Sequence, residues 1–268
     1  MGADIKKLRN RIKSVDSTLH LTKAMGLVAS SKIRRATDSM NKARQYKSTF
    51  DEAIKSLTMC EECQKSPFMK KREGERIRLI VIAGDRGLAG GYNANIFRAL
   101  RQFENVEIIP IGKRACDKLG KETVSAEHFS SQMALDLARS LCEEFKNEEY
   151  DKLGIVGTKY VSMLTQEPFV SWILPLERQE GEKSHGAIFE PDEQSILNLA
   201  IAEYISAIIM SCVRESFACE IASRRNAMDS AGKNAKQMID ELGLQYNRAR
   251  QGAITQELTE IVAGSGAN

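Results

Sequence analysis

The chain has 268 residues, a formal net charge of +3 and only 6% aromatic residues. That length allows one good-sized domain with an extension, or two small domains. Its five prolines fall between 67 and 191, so both ends are free of helix breakers and open to long helix.

The first 58 residues place Ile5, Leu8, Ile12, Val15 and Leu19 on a 3-4 spacing. The spacing continues through Thr22, Gly26, Ala29, Ile33, Ala36 and Met40 to Ile54 and Leu57. Such a stripe stays on one face of a helix only if the helix supercoils around a partner. Its many small residues require that partner to approach closely. The helix is also basic, from Lys6, Lys7 and Arg9 through Lys32, Arg34 and Arg35 to Arg44 and Lys47. This is either a solvated face or one lying beside an acidic partner. Basic block and heptads coincide here, whereas a basic-zipper DNA binder separates them along the helix.

Residues 58–76 read as a polar connection. Ile77–Ala83 is a β-branched run of strand length. The glycine-rich turn Gly84–Asn93 follows, and then a helix over 94–104. Val106–Ile111 reads as a strand, 113–119 as a short helix, Ser125–Phe129 as a short edge strand and Ser131–Asn147 as an amphipathic helix. Leu153–Gly157 and Phe169–Leu174 complete the strands, and alternation of this kind predicts a small, mostly parallel sheet. Residues 175–190 read as a polar linker.

Pro191 and Asp192 then open the last helix, with Asp192 as its cap. From Ile196 to Val213 it is apolar on most faces. Asn198, Glu203, Ser206 and Ser211 within this run argue for burial against protein rather than for a membrane span. From Ile221 the pattern thins to one stripe of Ile221, Met228, Ala231, Ala235, Met238, Leu242 and Ala249. At 1.5 Å per residue, 192–263 spans roughly 100 Å, far more than the domain it leaves, so it must reach into something else. The expected fold is α/β: a long antiparallel coiled coil of the N- and C-terminal helices plus a small Rossmann-like α/β domain. Its parts are 1–58, 77–175 and 192–263.

Gly84–Gly91 sits where phosphate loops sit, after a strand and before a helix. It lacks the Gly-Lys-Ser/Thr ending and the dinucleotide glycine spacing, so a tight structural turn is the expectation. Cys60 and Cys63 form a lone CxxC, two thiolates where a structural zinc wants four ligands. The six cysteines show no even framework and no apolar signal core precedes them, which suits a reducing compartment. Lys6 stands where the myristoylation pattern wants Ser or Thr. By itself the sequence nominates no catalytic residue, metal ligand or cofactor site.

The C-terminus, Arg250-Gln251-Gly252-Ala253-Ile254-Thr255-Gln256-Glu257-Leu258-Thr259-Glu260-Ile261, resembles the signature ARQAxITxELxEI that ends the γ subunits of F-type ATP synthases. Leu21 to Ala36 is similar to that family's TKAMxxVAASKxRRA, and Asp85 to Asn93 to its SDRGLCGGYN. The matches run from end to end in order. Gly26, Arg225 and Gly157-Thr158-Lys159 depart from the family pattern.

The resemblance implies a non-catalytic shaft subunit of bacterial type. It would turn inside a ring of three α and three β subunits, coupling ion flow through the c-ring to ATP synthesis or hydrolysis. Arg250, Gln251, Thr255, Glu257 and Ile261 would meet the β subunits, and Phe189 and Glu190 would lie at the foot near the c-ring and ε subunit. It implies no cofactor, no nucleic acid, and a peripheral place on the cytoplasmic face of the plasma membrane through the c-ring alone. A coiled-coil tether and a small nucleotide-using α/β enzyme are the other readings, and neither explains the C-terminal signature.

Overall fold

The computed structural model describes residues 2–72, 74, 76–178 and 190–265. Helix α1 runs Gly2–Thr58 and a short 3-10 turn Glu62–Lys65 follows. Then come β1 Ile77–Ile82, α2 Tyr92–Leu100, β2 Glu107–Ile111, α3 Lys113–Leu119, α4 Ser131–Lys146, β3 Lys152–Tyr160, β4 Gln166–Leu174 and α5 Glu193–Ser265. The chain forms two compact units, one of residues 1–30 with 224–268 and one of 31–223. Both long helices contribute to both units.

The sheet has the order β2-β1-β3-β4. β1 pairs parallel with β2 and β3, and β4 runs antiparallel to β3 as an edge strand. Pro168 is tolerated in β4 because an edge strand can leave one side of its backbone unpaired. Successive side chains of β1 point to opposite faces. Ile80 and Ile82 join a core with α4, the last turns of α1 (Ile54, Leu57) and the first half of α5 (Leu197, Ile201, Ile205, Ile209). Leu79 and Val81 join a second core with α2 and α3, through Tyr92, Ile96 and Ala115. The apolar run 196–213 is therefore largely buried in the first of these cores, although Leu199 within it is exposed.

Asp192 caps α5 as its sequence position predicts, accepting from the Ser195 N–H at 2.8 Å and the Ser195 hydroxyl at 2.8 Å. These bonds hold its carboxyl below the usual carboxylate range. In the unit of 1–30 and 224–268 the two helices run antiparallel. Leu8 and Arg11 lie beside Met238 and Leu242, while Thr22 and Leu19 lie beside Gly232. At Gly26 an added Cβ would sit 3.8 Å from the Met228 Cβ, an ordinary contact, so this departure from the family pattern is not demanded by space.

Three expectations are corrected. Ser125–Phe129 is not a strand: the Ala126 and Glu127 N–H groups bind the Asp85 carboxylate instead of a neighbouring strand. Residues 58–76 are not merely a polar connection. Met59, Cys63, Ser66, Phe68 and Met69 are buried, and the Leu176 N–H bonds the Phe68 carbonyl at 2.7 Å. Phe68 stacks with Phe145 at 6.0 Å. A few apolar side chains among charges were enough to dock the segment. The helix expected over 94–104 instead spans Tyr92–Leu100. Of the expected linker 175–190, residues 179–189 lie outside those described.

Gly112 has φ +99°, and an added Cβ would meet the Ala83 carbonyl oxygen at 2.0 Å. At Gly243, within α5, an added Cβ would meet nothing within 4 Å among the described residues beyond its own helix backbone. Denaturant unfolding of the full chain is expected to show Gly112→Ala losing about 2 kcal/mol or more. Gly243→Ala should gain about 0.5–1 kcal/mol through helix propensity alone. Equal midpoints for the two variants would contradict this account of the strand-to-helix turn.

Candidate functional site

At the C-terminal end of α5 most of the described side chains are exposed. Ala249 and Ala253 are half-buried, while Arg250, Gln251, Thr255, Glu257 and Ile261 are all exposed. Ile254 is 47% exposed, Leu258 59% and Ile261 67%. Several polar side chains here bond along the helix. The Thr255 hydroxyl donates to the Gln251 carbonyl at 2.9 Å, and Gln256 donates to Glu260 at 2.8 Å. The cause is length: Leu8 lies beside Leu242, so α1 runs out near residue 248 and α5 continues for about fifteen residues, roughly 22 Å. Exposed side chains of this size on successive turns form a surface that favours burial by another chain. Of the expected foot residues, Glu190 is exposed and Phe189 lies outside the described residues.

The glycine-rich turn after β1 is built as a fastening. The Gly84 N–H donates to the Asn93 side-chain oxygen at 2.9 Å. The Asp85 and Arg86 N–H groups donate to the two carboxylate oxygens of Glu220 on α5, at 3.1 and 3.2 Å. Backbone N–H groups that would cradle a phosphate in a phosphate loop are thus turned onto a carboxylate of the same chain. An added Cβ at Gly84 would sit 2.8 Å from the Glu220 carboxylate, so the glycine is what lets that carboxylate approach.

Asp85 faces the other way and gathers the next loops. It accepts from the Lys113 and Ala126 N–H groups at 3.0 and 2.9 Å, the Glu127 N–H at 2.8 Å and the Ser125 hydroxyl at 2.7 Å. Burial pushes its carboxyl up, but the bonds from Glu127, Ser125, Lys113 and Ala126 outweigh burial and hold it below the usual carboxylate range. Glu127 in turn takes Lys32 of α1 at 2.9 Å and Arg86 at 3.2 Å. Lys32 chiefly, and Arg86 with it, hold the Glu127 carboxyl low.

At the end of β3, Glu215 of α5 accepts from the Tyr160 N–H at 2.7 Å and pairs with Arg44 of α1. Arg44 also donates to the Tyr160 carbonyl at 3.3 Å. Sequence reading missed Asp85, Glu215 and Glu220 as hubs. The available signal was a pair of glutamates separated only by apolar and small residues, Ser216 to Cys219.

The basic residues of α1 divide in two. Lys32, Arg44 and Lys47 are half-buried and pair with Glu127, Glu215 and Asp51. Lys6, Lys7, Arg9, Arg11, Lys13, Lys23, Arg34, Arg35 and Lys42 are exposed. Cys63 is fully buried, and burial, with the neighbouring Cys60 adding to it, pushes its thiol up to about 12. That protonates both the nucleophile and the metal ligand it would otherwise be. Among the described residues no three His, Cys, Asp or Glu side chains come together as a metal site.

A family described as ATP synthase matches residues 4–267. The chain is 38% identical over 285 residues to an ATP synthase gamma chain of Alkaliphilus metalliredigens, covering 99% of each. It is 38% identical over 281 residues to that of Ruminococcus albus, covering 98% of each. Among solved structures, its fold is similar to a chain of the Euglena gracilis mitochondrial ATP synthase in an OSCP/F1/c-ring assembly. The TM-score is 0.69 at 17% identity, covering 100% of this chain and 95% of that one. A chain of the Tetrahymena thermophila central stalk and c-ring matches with TM-score 0.61 and 21% identity, over 79% of this chain and 99% of that one.

The Asp85 cluster has a pH signature. A folded-state pKa below the unfolded value of about 3.9 contributes stability that is present above that value and is lost as pH falls through the folded one. Asp85→Asn should therefore destabilise the full chain at pH 6, and the deficit should shrink steadily between about pH 5 and pH 2. Denaturant midpoints across that range check it. A deficit that does not change with pH would show that the loss is one of packing, not of charge.

Proposed function

The chain belongs to the ATP synthase γ chain family, and we propose that it works as the central shaft of a bacterial F-type ATP synthase. It is a non-catalytic subunit, and the catalytic sites lie on the β subunits of the complex. Its partners are the α and β subunits, the ε subunit and the c-ring. In this reading 1–58 and 192–263 are the shaft and 77–175 is the domain inserted into it. The complex is membrane-associated, and this chain reaches the membrane's cytoplasmic face only through the c-ring.

One observation in the fold carries the reading. The last turns of α5 expose Ile254, Leu258 and Ile261 although the chain has apolar cores elsewhere to hide them in. A ring of α and β subunits supplies the missing partner. Apolar contact is non-directional, so a shaft can turn in such a sleeve without breaking a fixed set of bonds at each step. Directional groups such as Arg250 and Gln251 lie among the apolar ones, and each is met at one angle and released at another. The shaft lacks threefold symmetry, so at any moment it contacts the three β subunits unequally. Differential contact shifts each catalytic site toward a different conformation, and rotation passes those conformations from site to site.

Arg250 and Gln251, with Thr255, Glu257 and Ile261 beyond them, are the groups we assign to the β contact. Arg offers a fork of donors to a carboxylate, and Gln offers both a donor and an acceptor. A hydrogen bond to a charged group is worth about 1.5–3 kcal/mol. If it forms in only one rotary state, its loss changes turnover roughly ten- to a hundredfold. Arg250→Ala with Gln251→Ala should leave the complex assembled and slow its steady-state ATPase by that factor. The rate is measured on gel-filtered complex with normal subunit stoichiometry. Wild-type turnover there would remove these two residues from the mechanism.

A further inference from the structure

In the first half of α5 the helix lies on the sheet through leucines and isoleucines. Such contact opposes separation, but being non-directional it resists rolling of the helix about its own axis far less well. A shaft that carries torque needs something that does resist rolling. The structure places two buried carboxylates where α5 leaves the sheet. Glu215 is 8% exposed and Glu220 2%.

Five residues apart on an α-helix, they point about 140° from one another around its axis. Glu215 grips the Tyr160 N–H at the carboxyl end of β3, and Glu220 grips the Asp85 and Arg86 N–H groups just beyond β1. β1 and β3 are adjacent parallel strands in the middle of the sheet. Turning α5 either way about its axis would stretch the bonds at both strand ends. Arg44 ties α1 to the same point through Glu215 and the Tyr160 carbonyl. Two neutral bonds complete the collar, Tyr92 to Ser216 and Ser223 to the Ala89 carbonyl at 2.8 Å.

We propose that Glu215 and Glu220 are the residues that lock α5 against rotation on the sheet, so that torque passes between the α/β domain and the shaft through their carboxylates. In other open α/β proteins the crevice at the carboxyl ends of the strands holds a ligand. Here the chain's own helix occupies it and uses the same backbone donors mechanically. The proposal rests on the shaft function above. It makes these glutamates positioning residues: they touch no substrate and act by fixing the angle between two parts of the rotor.

The test uses the assembled complex carrying Glu215→Gln with Glu220→Gln, which keeps side-chain shape and removes the charge. A bead is attached to the α/β domain through the exposed face of α4, and angular fluctuation is recorded while the complex waits for ATP. The collar's charge-assisted bonds are about twice as strong as the neutral ones that remain, so the variance of the angle should rise roughly twofold. ATP-driven ion pumping per ATP hydrolysed, in sealed vesicles, should fall, while unloaded hydrolysis stays near wild type.

An Ile80→Val variant loosens the same domain's core without touching the collar and serves as the control. Unchanged variance and pumping ratio in the double variant would overturn the proposal. So would an equal change in the Ile80→Val control, which would make the effect one of general loosening. If the double variant does not assemble, the single variants carry the same measurement under the same criteria. Failure of the wild-type bead to rotate at all would instead strike at the shaft function itself.

Discussion

A helix of 73 residues is held by what lies along its sides, and α5 is supported in three ways along its length. Isolated helical propensity contributes little beside tertiary packing. Over its first half the sheet, α4 and the end of α1 bury it on several faces. Farther on only one stripe is buried, through Met228, Ala235 and Leu242. Beyond Ala253 the described side chains, through residue 262, are exposed. This decline in support is the constraint on which the rest depends: a domain that anchors, a pair of helices that steady each other, and an end that needs another protein.

The seam of α1 obeys the same logic at the residue level. All the positions on its 3-4 stripe, from Ile5 to Leu57, are buried or half-buried, while the residues between them are mostly exposed. The stripe passes through Thr22, Gly26, Ala29 and Ala36, so the partner helix comes close. A Cβ at Gly232 would lie 3.6 Å from the Thr22 hydroxyl. Close approach of two backbones leaves little volume for side chains to reorganise, and that stiffens the pair. Where the helices meet the sheet, stiffness comes from charge instead, because carboxylates bonded to backbone N–H groups are directional and buried.

Much of this was legible in the sequence because it is periodic. The heptads of α1, the β-branched run of β1, the capping Asp192 and the apolar stretch 196–213 all repeat or punctuate on a local scale. Asp85, Glu215 and Glu220 are different. A glutamate on a helix reads as solvated until one knows which loop lies opposite it, and those loops are more than fifty residues away in sequence. The same blindness produced the strand expected at Ser125–Phe129: its residues suit a strand, but its N–H groups are claimed by Asp85 forty residues earlier. The burial of Phe68 and Cys63 has no local mark, because a segment with many charges averages to a linker. That the glycine-rich turn holds a carboxylate of the same chain could be seen only in the fold. The roles of Arg250 and Gln251 come from resemblance alone, since an exposed pair on a helix has no local mark of what it meets.

The account stands or falls on whether the end of α5 is enclosed by other subunits. Hydrogen exchange of peptides covering 250–262, read by mass spectrometry in the free chain and in the purified complex, tests this most directly. Enclosure predicts fast exchange in the free chain and strong protection in the complex, with the exposed face of α4 unchanged between the two. Equally fast exchange of 250–262 in both would mean that the apolar end remains in water, and the chain would not be a shaft within a ring.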